Sequence, residues 1–287
     1  MENLSNIGVI KDLMKRYGFS FSKGLGQNFL INPTVCPKIA EMGNAKEGFG
    51  IIEIGTGFGV LTCELAKRAD KVVAVEIDSR LIPVLSETLA EFDNVKVIND
   101  DILKIDLASL IKQEFNGLDV AVCANLPYYL TSPIIMSLLE LRLPIKTITV
   151  MVQKEAGVRL CAPLGTRDTG AITVAINYYA KARRLFDVKR GSFMPPPNVD
   201  SCVIQLEVRD APPKVSDEKF FFETVKAAFS QRRKTLVNSL SSYFSLSKDK
   251  VITVVKSVGL KETVRPEQLQ LDDFISLAEA LKSAYDF

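Results

Sequence analysis

The sequence predicts an α/β protein with a doubly wound, mostly parallel sheet and a small all-helical domain at its C-terminal end. Short apolar runs rich in Val and Ile recur between residues 50 and 152, and helix-length segments separate them. Glycine or polar residues follow each run. Buried parallel strands have this composition, and their alternation with helices is typical of a parallel sheet.

The predicted strands define the first domain. They are GIIEI at 50–54, KVVAVEI at 71–77, NVKVI at 94–98, LDVAVCA at 118–124 and KTITVMV at 146–152. Two further strands, ARRLFDV and SCVIQLEV, flank the proline-rich MPPPN. RDAPPK at 209–214 is typical of a linker, and the segments after it have helical spacing. We therefore assign residues 1–210 to the sheet domain and residues 211–287 to a helical domain.

Composition excludes several kinds of chemistry. The chain has no histidine, which excludes Ser-His-Asp and Cys-His mechanisms and imidazole-based zinc sites, and we expect no metal. The five cysteines form no C-x-x-C pair, which indicates free thiols in a reducing compartment. No apolar run is long enough to span a bilayer, and the first residues lack a signal-peptide pattern. We expect a cytoplasmic protein without a membrane partner.

The polar residues after the first three strands predict a cofactor site, because ligands bind at the carboxyl ends of parallel strands. EIGTGFG places Gly55 and Gly57 after the first strand, in a spacing that differs from the dinucleotide pattern G-x-G-x-x-G. Glu53, just before this turn, is also unlike a typical dehydrogenase turn. Glu76 ends the second strand and suits ribose hydroxyls, and the acids at 100–101 suit an adenine amino group. This set predicts a nucleoside ligand without phosphates, such as S-adenosylmethionine.

The segment NLPYYLTSP follows the fourth strand and predicts a site for a methyl acceptor. An exocyclic adenine amine is a poor nucleophile and needs hydrogen-bond acceptors as its nitrogen becomes tetrahedral. The Asn125 side-chain oxygen and the Leu126 carbonyl can accept these bonds, and Pro127 stiffens the backbone between them and Tyr128. Tyr128 can stack on an extruded base. This chemistry requires no histidine.

Two basic patches predict contacts with a polyanion, although the net charge of the whole chain is only +2. KARRLFDVKR contains Arg183 and Arg184, and QRRK contains Arg232, Arg233 and Lys234. An ordinary solvated surface would have a similar appearance, so the patches by themselves leave both interpretations open.

Taken together, the motifs resemble one known family. KGLGQNFLIN, EIGTGFGVLT, EID, NLPYYLTSPI, FMPPPNVDS and FSQRRKTLVNSL occur in this order over nearly the whole chain. In this respect the sequence resembles the ribosomal RNA adenine N6,N6-dimethyltransferases, specifically their bacterial small-subunit branch, the KsgA/RsmA family. The resemblance implies a class I (Rossmann-like) methyltransferase fold. It also implies transfer of four methyl groups to two adjacent adenosines in a hairpin loop near the 3′ end of small-subunit RNA.

The resemblance also implies roles for individual residues. The implied cofactor contacts are Asn28, Leu30, Gly55, Glu76, Asp101 and Asn125. The position of the aspartate before the leucine in NDDIL selects Asp101 over Asp100. Asn125 is also the implied acceptor for the target amine, and Phe193 is expected to face the target base opposite Tyr128. The implied partners are small-subunit ribosomal RNA and the assembling small subunit, with the enzyme acting as a monomer in ribosome biogenesis.

Three alternatives stay open at this point. Methylases of DNA adenine or of protein glutamine favour D/N-P-P-Y, whereas Leu126 stands at the first proline position here. The antibiotic-resistance branch, which methylates large-subunit RNA, shares the architecture. A non-catalytic binding factor on the same fold would use these residues for recognition alone, and the intact set of Asn125, Tyr128, Glu76 and Asp101 argues against that alternative.

Overall fold

The computed structural model describes residues 4–285. Within this range there are nine strands: β1 (Phe29–Leu30), β2 (Phe49–Ile54), β3 (Lys71–Glu76), β4 (Val95–Asn99), β5 (Asp119–Asn125), β6 (Ile145–Gln153), β7 (Ala180–Val188), β8 (Phe193–Met194) and β9 (Ser201–Val208). All seven strands predicted from the sequence are present, each with bounds within two residues of the prediction.

Seven strands form one sheet in the order β4-β3-β2-β5-β6-β9-β7. The pairs from β4 through β6 are parallel, and β9 runs antiparallel to β6. Every residue of β2 is buried, as expected for a central strand with covered faces. The chain moves outward from β2 to β4 and then returns to β5 on the other side of β2. This reversal beside β2 is where doubly wound sheets bind ligands, and the predicted fold class is confirmed.

The described part of the chain contains twelve α-helices. They are α1 (Ile7–Arg16), α2 (Val35–Met42), α3 (Val60–Ala66), α4 (Ile82–Thr88), α5 (Leu107–Glu114), α6 (Thr131–Glu140), α7 (Lys154–Leu160), α8 (Ala171–Tyr179), α9 (Glu218–Ala228), α10 (Leu236–Phe244), α11 (Lys248–Ser257) and α12 (Leu271–Tyr285). Of these helices, none is long and apolar enough to cross a membrane.

The chain forms two compact units. The first contains residues through Gly157 together with Lys181–Val208, and the second contains Val158–Ala180 and the residues from Arg209 onward. The sequence-based boundary at 210 falls near the last of these divisions, but it assigned residues 158–180 to the first domain. The difference arises because α8 packs on α9: Tyr178 stacks on Phe221 with ring centroids 5.0 Å apart, and the Tyr178 hydroxyl donates a hydrogen bond to Glu218.

The segment before β2 packs against the sheet domain and helps to form the site described below. Ile10 and Leu13 of α1 lie in a hydrophobic cluster that also contains Phe58 and residues of α4. The Arg16 guanidinium makes two hydrogen bonds of 2.8 Å to the Glu87 carboxylate on α4. Farther along, β1 pairs with β8 in a two-residue ribbon that the sequence analysis did not predict. This ribbon fixes the end of the segment that contains Asn28.

Candidate active site

A cleft lies at the carboxyl ends of β2, β3 and β5, where the sequence predicted a ligand site. It encloses about 800 Å³ of atom-free space, part of which is open to solvent. Most of the predicted site residues line it. They are Asn28, Leu30, Gly55, Gly57, Glu76, Asn125, Leu126 and Tyr128.

The glycine turn after β2 has a backbone that requires glycine. Gly55 has φ +77° and Gly57 has φ +60°, in the left-handed region that L side chains rarely adopt. A Cβ atom at Gly57 would also stand 2.8 Å from two ring carbons of Phe29. The turn therefore needs glycine at 57 both for its backbone conformation and for the approach of the segment that contains β1.

Glu76 connects the second strand to this turn. One of its carboxylate oxygens accepts a 2.9 Å hydrogen bond from the Gly57 N–H, and the other accepts one of 2.9 Å from the Asp78 N–H. Burial raises the pKa of Glu76, and these two backbone donors oppose that rise. The carboxylate is thus held rigidly at the cleft wall. Each oxygen retains a second lone pair that could accept a ribose hydroxyl.

Glu53 is a second carboxyl group at the cleft, and the sequence analysis gave it no role. Its side chain is completely buried, and within residues 4–285 neither carboxyl oxygen has a hydrogen-bond partner. Burial raises the pKa of Glu53 to about 8, with a further contribution from the negative charge of Glu76. The Thr62 hydroxyl opposes this rise by its proximity, although its oxygen also lacks a hydrogen-bond partner. In the sequence, the acidic residue before the glycine turn was the signal that could have indicated this buried carboxyl group.

Asn125, the last residue of β5, has a defined orientation. Its Nδ2 donates a 3.0 Å hydrogen bond to the main-chain carbonyl of Asn28. The Asn28 side chain in turn donates a 3.1 Å hydrogen bond to the Gly26 carbonyl. Because the Asn125 amide nitrogen is engaged in this way, its Oδ1 remains available to accept a hydrogen bond. The sequence analysis predicted that oxygen as an acceptor, but it did not predict Asn28 as the residue that orients it.

The next residues continue the same wall of the cleft. The Leu126 side chain is buried, and among residues 4–285 no donor hydrogen-bonds to the Leu126 carbonyl. Tyr128 begins a short 3₁₀ turn and is partly exposed, and its hydroxyl lies 2.7 Å from the Ser201 Oγ. Asn125, Leu126 and Tyr128 therefore lie together, as the sequence predicted, with two oxygen acceptors and one aromatic ring.

Two predicted site residues do not line the cleft. Asp101 follows β4, where its carboxylate accepts a hydrogen bond from the Leu103 N–H and lies 3.7 Å from the Lys104 ammonium. Phe193 is 2% exposed and lies in the hydrophobic core cluster that includes Leu30. The pairing of β8 with β1 places Phe193 opposite Leu30, which does line the cleft, and the expected position of Phe193 facing a base stays a prediction. Contact of Asp101 with adenine stays a prediction.

The predicted basic residues differ in their surroundings. Arg183 donates hydrogen bonds of 3.1 and 2.6 Å to the Gln205 side-chain oxygen, and the Arg184 guanidinium lies 3.9 Å from the Asp187 carboxylate. In the helical region after residue 214, α9 ends at Ala228 and α10 begins at Leu236. The connection between these helices exposes three basic side chains, those of Arg232, Arg233 and Lys234.

A hydrogen-bonded latch joins the segment before β1 to the loop after β3. Gln27 donates a 2.7 Å hydrogen bond to the Asp78 carboxylate and accepts a 2.8 Å bond from the Ser22 N–H. Arg80 donates to both Asp78 oxygens, which lowers the pKa of that carboxyl group. The sequence did not predict this latch, although Gln27 lies within the KGLGQNFLIN motif.

The electrostatic character of the cleft fits S-adenosylmethionine. The described residues that line it include Glu53 and Glu76 but no lysine or arginine. The Glu76 carboxylate at the cleft wall suits a cationic sulfonium better than a phosphate, whereas Glu53, with its pKa raised to about 8, is mostly neutral at pH 7. Within residues 4–285 there is also no group of three or more acidic or cysteine side chains placed to hold a metal ion.

Comparison with known proteins agrees with this site. The model of the family described as "Ribosomal RNA adenine dimethylase" matches residues 18–283. The chain is 48% identical over 285 residues to "Ribosomal RNA small subunit methyltransferase A" of Geobacillus thermodenitrificans, covering 98% of this chain and 97% of that protein. It is 47% identical over 286 residues to the protein of the same name from Bacillus cytotoxicus, covering 98% of each.

Two solved structures have a similar fold. A dimethyladenosine transferase from Plasmodium falciparum has a TM-score of 0.74 at 26% identity and covers 89% of this chain and 98% of that one. The 23S rRNA methyltransferase ErmE has a TM-score of 0.69 at 26% identity and covers 89% of this chain and all of that one. With nearly its whole length matched by the family model, the chain belongs to the ribosomal RNA adenine dimethylase family.

Proposed function

We propose that this protein is an S-adenosylmethionine-dependent adenine dimethyltransferase of small-subunit (16S) ribosomal RNA. It methylates the N6 amines of two adjacent adenosines in a hairpin loop near the 3′ end and gives dimethyladenosines. The full-length similarity to proteins named for the small subunit favours this substrate over large-subunit RNA.

The observation that carries the proposal is the arrangement of Asn125 at the end of β5. The amide nitrogen is bound to the Asn28 carbonyl at 3.0 Å, so the amide oxygen and the Leu126 carbonyl form a pair of acceptors in the cleft. An exocyclic amine has two N–H bonds, and two acceptors match them. A hydroxyl or thiol acceptor substrate would use only one.

The cofactor would be held by residues that surround the glycine turn. Gly55 and Gly57 allow close approach to the main chain, Glu76 would accept from the ribose, and Asn28 and Leu30 close the cleft from the segment before β2. Asp101 would accept from the adenine amino group. When bound, S-adenosylmethionine supplies a methyl group activated by a positively charged sulfonium.

The residues of the chain contribute alignment and electrostatic stabilisation. As the new N–C bond forms and the C–S bond breaks, the target nitrogen becomes tetrahedral and positive. The Asn125 oxygen and the Leu126 carbonyl stabilise that charge, and the Tyr128 ring holds the base by stacking. The displaced proton leaves to water after the transfer, so no side chain of neutral pKa is needed. This agrees with the absence of histidine from the sequence.

The partner in this proposal is the assembling small ribosomal subunit, and the enzyme acts on it as a monomer in the cytoplasm. The exposed side chains of Arg232, Arg233 and Lys234 would contact RNA phosphates. Arg183 and Arg184 would contribute a second basic surface, with part of their hydrogen-bonding capacity already used by Gln205 and Asp187.

The proposed function is tested by methyl transfer from labelled S-adenosylmethionine to small subunits that lack the modification. We expect label as dimethyladenosine at two adjacent adenosines near the RNA 3′ end, mapped by nuclease digestion and mass spectrometry. Large subunits serve as the alternative substrate. Label in large-subunit RNA alone would favour the antibiotic-resistance branch, and tight small-subunit binding without label would favour a binding factor.

Charge reversal of Arg232 and Arg233 together is expected to weaken subunit binding about tenfold or more at low salt. It should also reduce the slope of log affinity against log salt by roughly 1–2, because each phosphate contact releases a counterion. Binding is measured from 50 to 300 mM salt. Reversal of Lys248 and Lys261, which are exposed in the same unit, changes the net charge equally and serves as the control. Equal losses in both double variants would exclude a specific role for the α9–α10 connection.

A further inference from the structure

The Tyr128 hydroxyl makes a contact that the proposed chemistry does not use. It lies 2.7 Å from the Oγ of Ser201, and either oxygen could be the donor. Tyr128 lines the cleft and is partly exposed, whereas Ser201 is completely buried. The ring therefore has one end at the ligand site and its hydroxyl end anchored in the protein interior.

The anchor is more rigid than the residue it holds. Ser201 begins β9 and pairs with Gln153, the last residue of β6, and the first six residues of β9 are all buried. The preceding residue is fixed as well: the Asp200 carbonyl accepts a 3.0 Å hydrogen bond from the Lys154 N–H, and its carboxylate accepts one from the Arg190 N–H. Tyr128, by contrast, lies in a single 3₁₀ turn.

The hydrogen bond restrains where the ring lies in the cleft. A tyrosine side chain has two rotatable bonds, and its hydroxyl lies on the axis of the second, so fixing the hydroxyl fixes the direction of the long axis of the ring. Burial raises the pKa of the Tyr128 phenol, so the phenol is neutral and able to donate. A ring held at a fixed position presents a preorganised surface to a base, and preorganisation at the reacting centre increases the rate.

We infer that Ser201 is a positioning residue that holds the Tyr128 ring at the place where the target adenine stacks. The inference rests on the proposed function, because it assigns to Tyr128 the binding of an extruded base. The inference goes beyond the proposed function by giving a role to a buried serine that touches neither base nor cofactor. Loss of the hydrogen bond between Tyr128 and Ser201 should lower kcat and weaken the stacking of the base, and it should leave cofactor binding unchanged.

The test is a double-mutant cycle with Ser201→Ala, Tyr128→Phe and the double variant. Both single variants remove the same hydrogen bond, and Tyr128→Phe keeps the ring. We expect each single change to lower kcat about five- to twentyfold, as for the loss of one hydrogen bond and the alignment it provides. The double variant should be no slower than the slower single variant, and the affinity for S-adenosylmethionine should equal that of the wild type in all three. Additive losses would overturn the inference.

A spectroscopic measurement separates positioning from packing. Small subunits are reconstituted with RNA that carries 2-aminopurine at one target adenosine, because stacking on an aromatic ring quenches this analogue. We expect brighter emission of the bound analogue with Ser201→Ala than with the wild type. The matched control is Ser192→Ala, which removes another buried hydroxyl, one that accepts a hydrogen bond from Asn32 and does not contact Tyr128. Its emission should match that of the wild type.

The outcomes distinguish the two claims. Unchanged kcat and emission with Ser201→Ala, accompanied only by lower thermal stability, would mean that the serine serves packing alone. If the wild-type protein transfers no methyl group but quenches the analogue, the proposed function fails and the emission of the variants still decides the role of Ser201. If the wild type does not quench the analogue, Tyr128 does not stack on the base and the inference fails with it.

Discussion

Replacement of Asn125 by alanine is expected to lower kcat for methyl transfer on the order of 10³-fold. The change removes an acceptor aimed at the charge that develops on the target nitrogen, and loss of one such preorganised group typically costs about 10²–10³ in rate. It also removes the hydrogen bond to the Asn28 carbonyl, so the cofactor segment loses a contact with β5. Single-turnover transfer to unmodified small subunits, with both substrates saturating, measures the effect on chemistry.

Two comparisons make the Asn125 result specific. Asn177→Ala removes a side-chain amide that donates to the Thr173 carbonyl of its own helix, and it should transfer methyl groups at the wild-type rate. Asn125→Asp keeps an acceptor oxygen but loses the donor that orients it, so its rate should lie between those of alanine and asparagine. Near-normal turnover of a folded Asn125→Ala protein would remove this residue from the acceptor role.

The strands and the glycine turn were predictable from the sequence because they depend on local signals. Runs of Val and Ile in a parallel sheet are buried on both faces, so composition and length were sufficient to locate β2 through β6. Gly55 and Gly57 follow from backbone geometry in the same way. Their neighbours Glu76 and Asn125 come together because parallel strands end at one edge of the sheet.

Contacts between distant segments were not predictable in this way. The bond between Tyr128 and Ser201 joins residues 73 positions apart, and the one between Asn125 and the Asn28 carbonyl joins residues 97 apart. Neither leaves a periodic pattern. The burial of Phe193 beside the ribbon of β1 and β8 was not predictable either, because a two-residue ribbon is too short to give a strand signal. The packing of α8 on α9 likewise depends on which apolar faces meet.

Replacement of Glu53 by glutamine is expected to change how stability depends on pH. Burial raises the pKa of Glu53 from its ordinary value of 4.5 to about 8, so the folded chain binds more protons than the unfolded chain between these values. Stability due to this group is therefore fully present below pH 4.5 and is lost as pH rises through 8. Each unit of difference in pKa corresponds to about 1.4 kcal/mol, which sets a ceiling of about 5 kcal/mol on the loss.

Other groups around Glu53 should not obscure this dependence. Glu76 is the charged side chain that faces it, and it contributes to the rise. The buried thiols of Cys36, Cys63 and Cys123 are affected by Glu53 in turn, and burial raises the pKa of Cys63 to about 12 and those of the other two well above their ordinary values. In the folded chain these thiols stay protonated between pH 6 and 9, and in the unfolded chain they ionise near their ordinary value of 9. Their contribution is common to the wild type and Glu53→Gln, so the difference between the two proteins reports Glu53.

Thermal unfolding followed by circular dichroism between pH 6 and 9 measures the prediction. Glutamine is neutral at every pH. The unfolding midpoint of Glu53→Gln relative to the wild type should therefore rise by roughly 5–10 °C from pH 6 to pH 9, which corresponds to a difference of about 2–4 kcal/mol in the free energy of unfolding. The change with pH is the informative quantity, since burying an amide without partners shifts both ends equally. Glu47→Gln, at an exposed position, should follow the wild type throughout. A constant offset between Glu53→Gln and the wild type would mean that Glu53 is already ionised at pH 6, held by a cation or water that satisfies its oxygens.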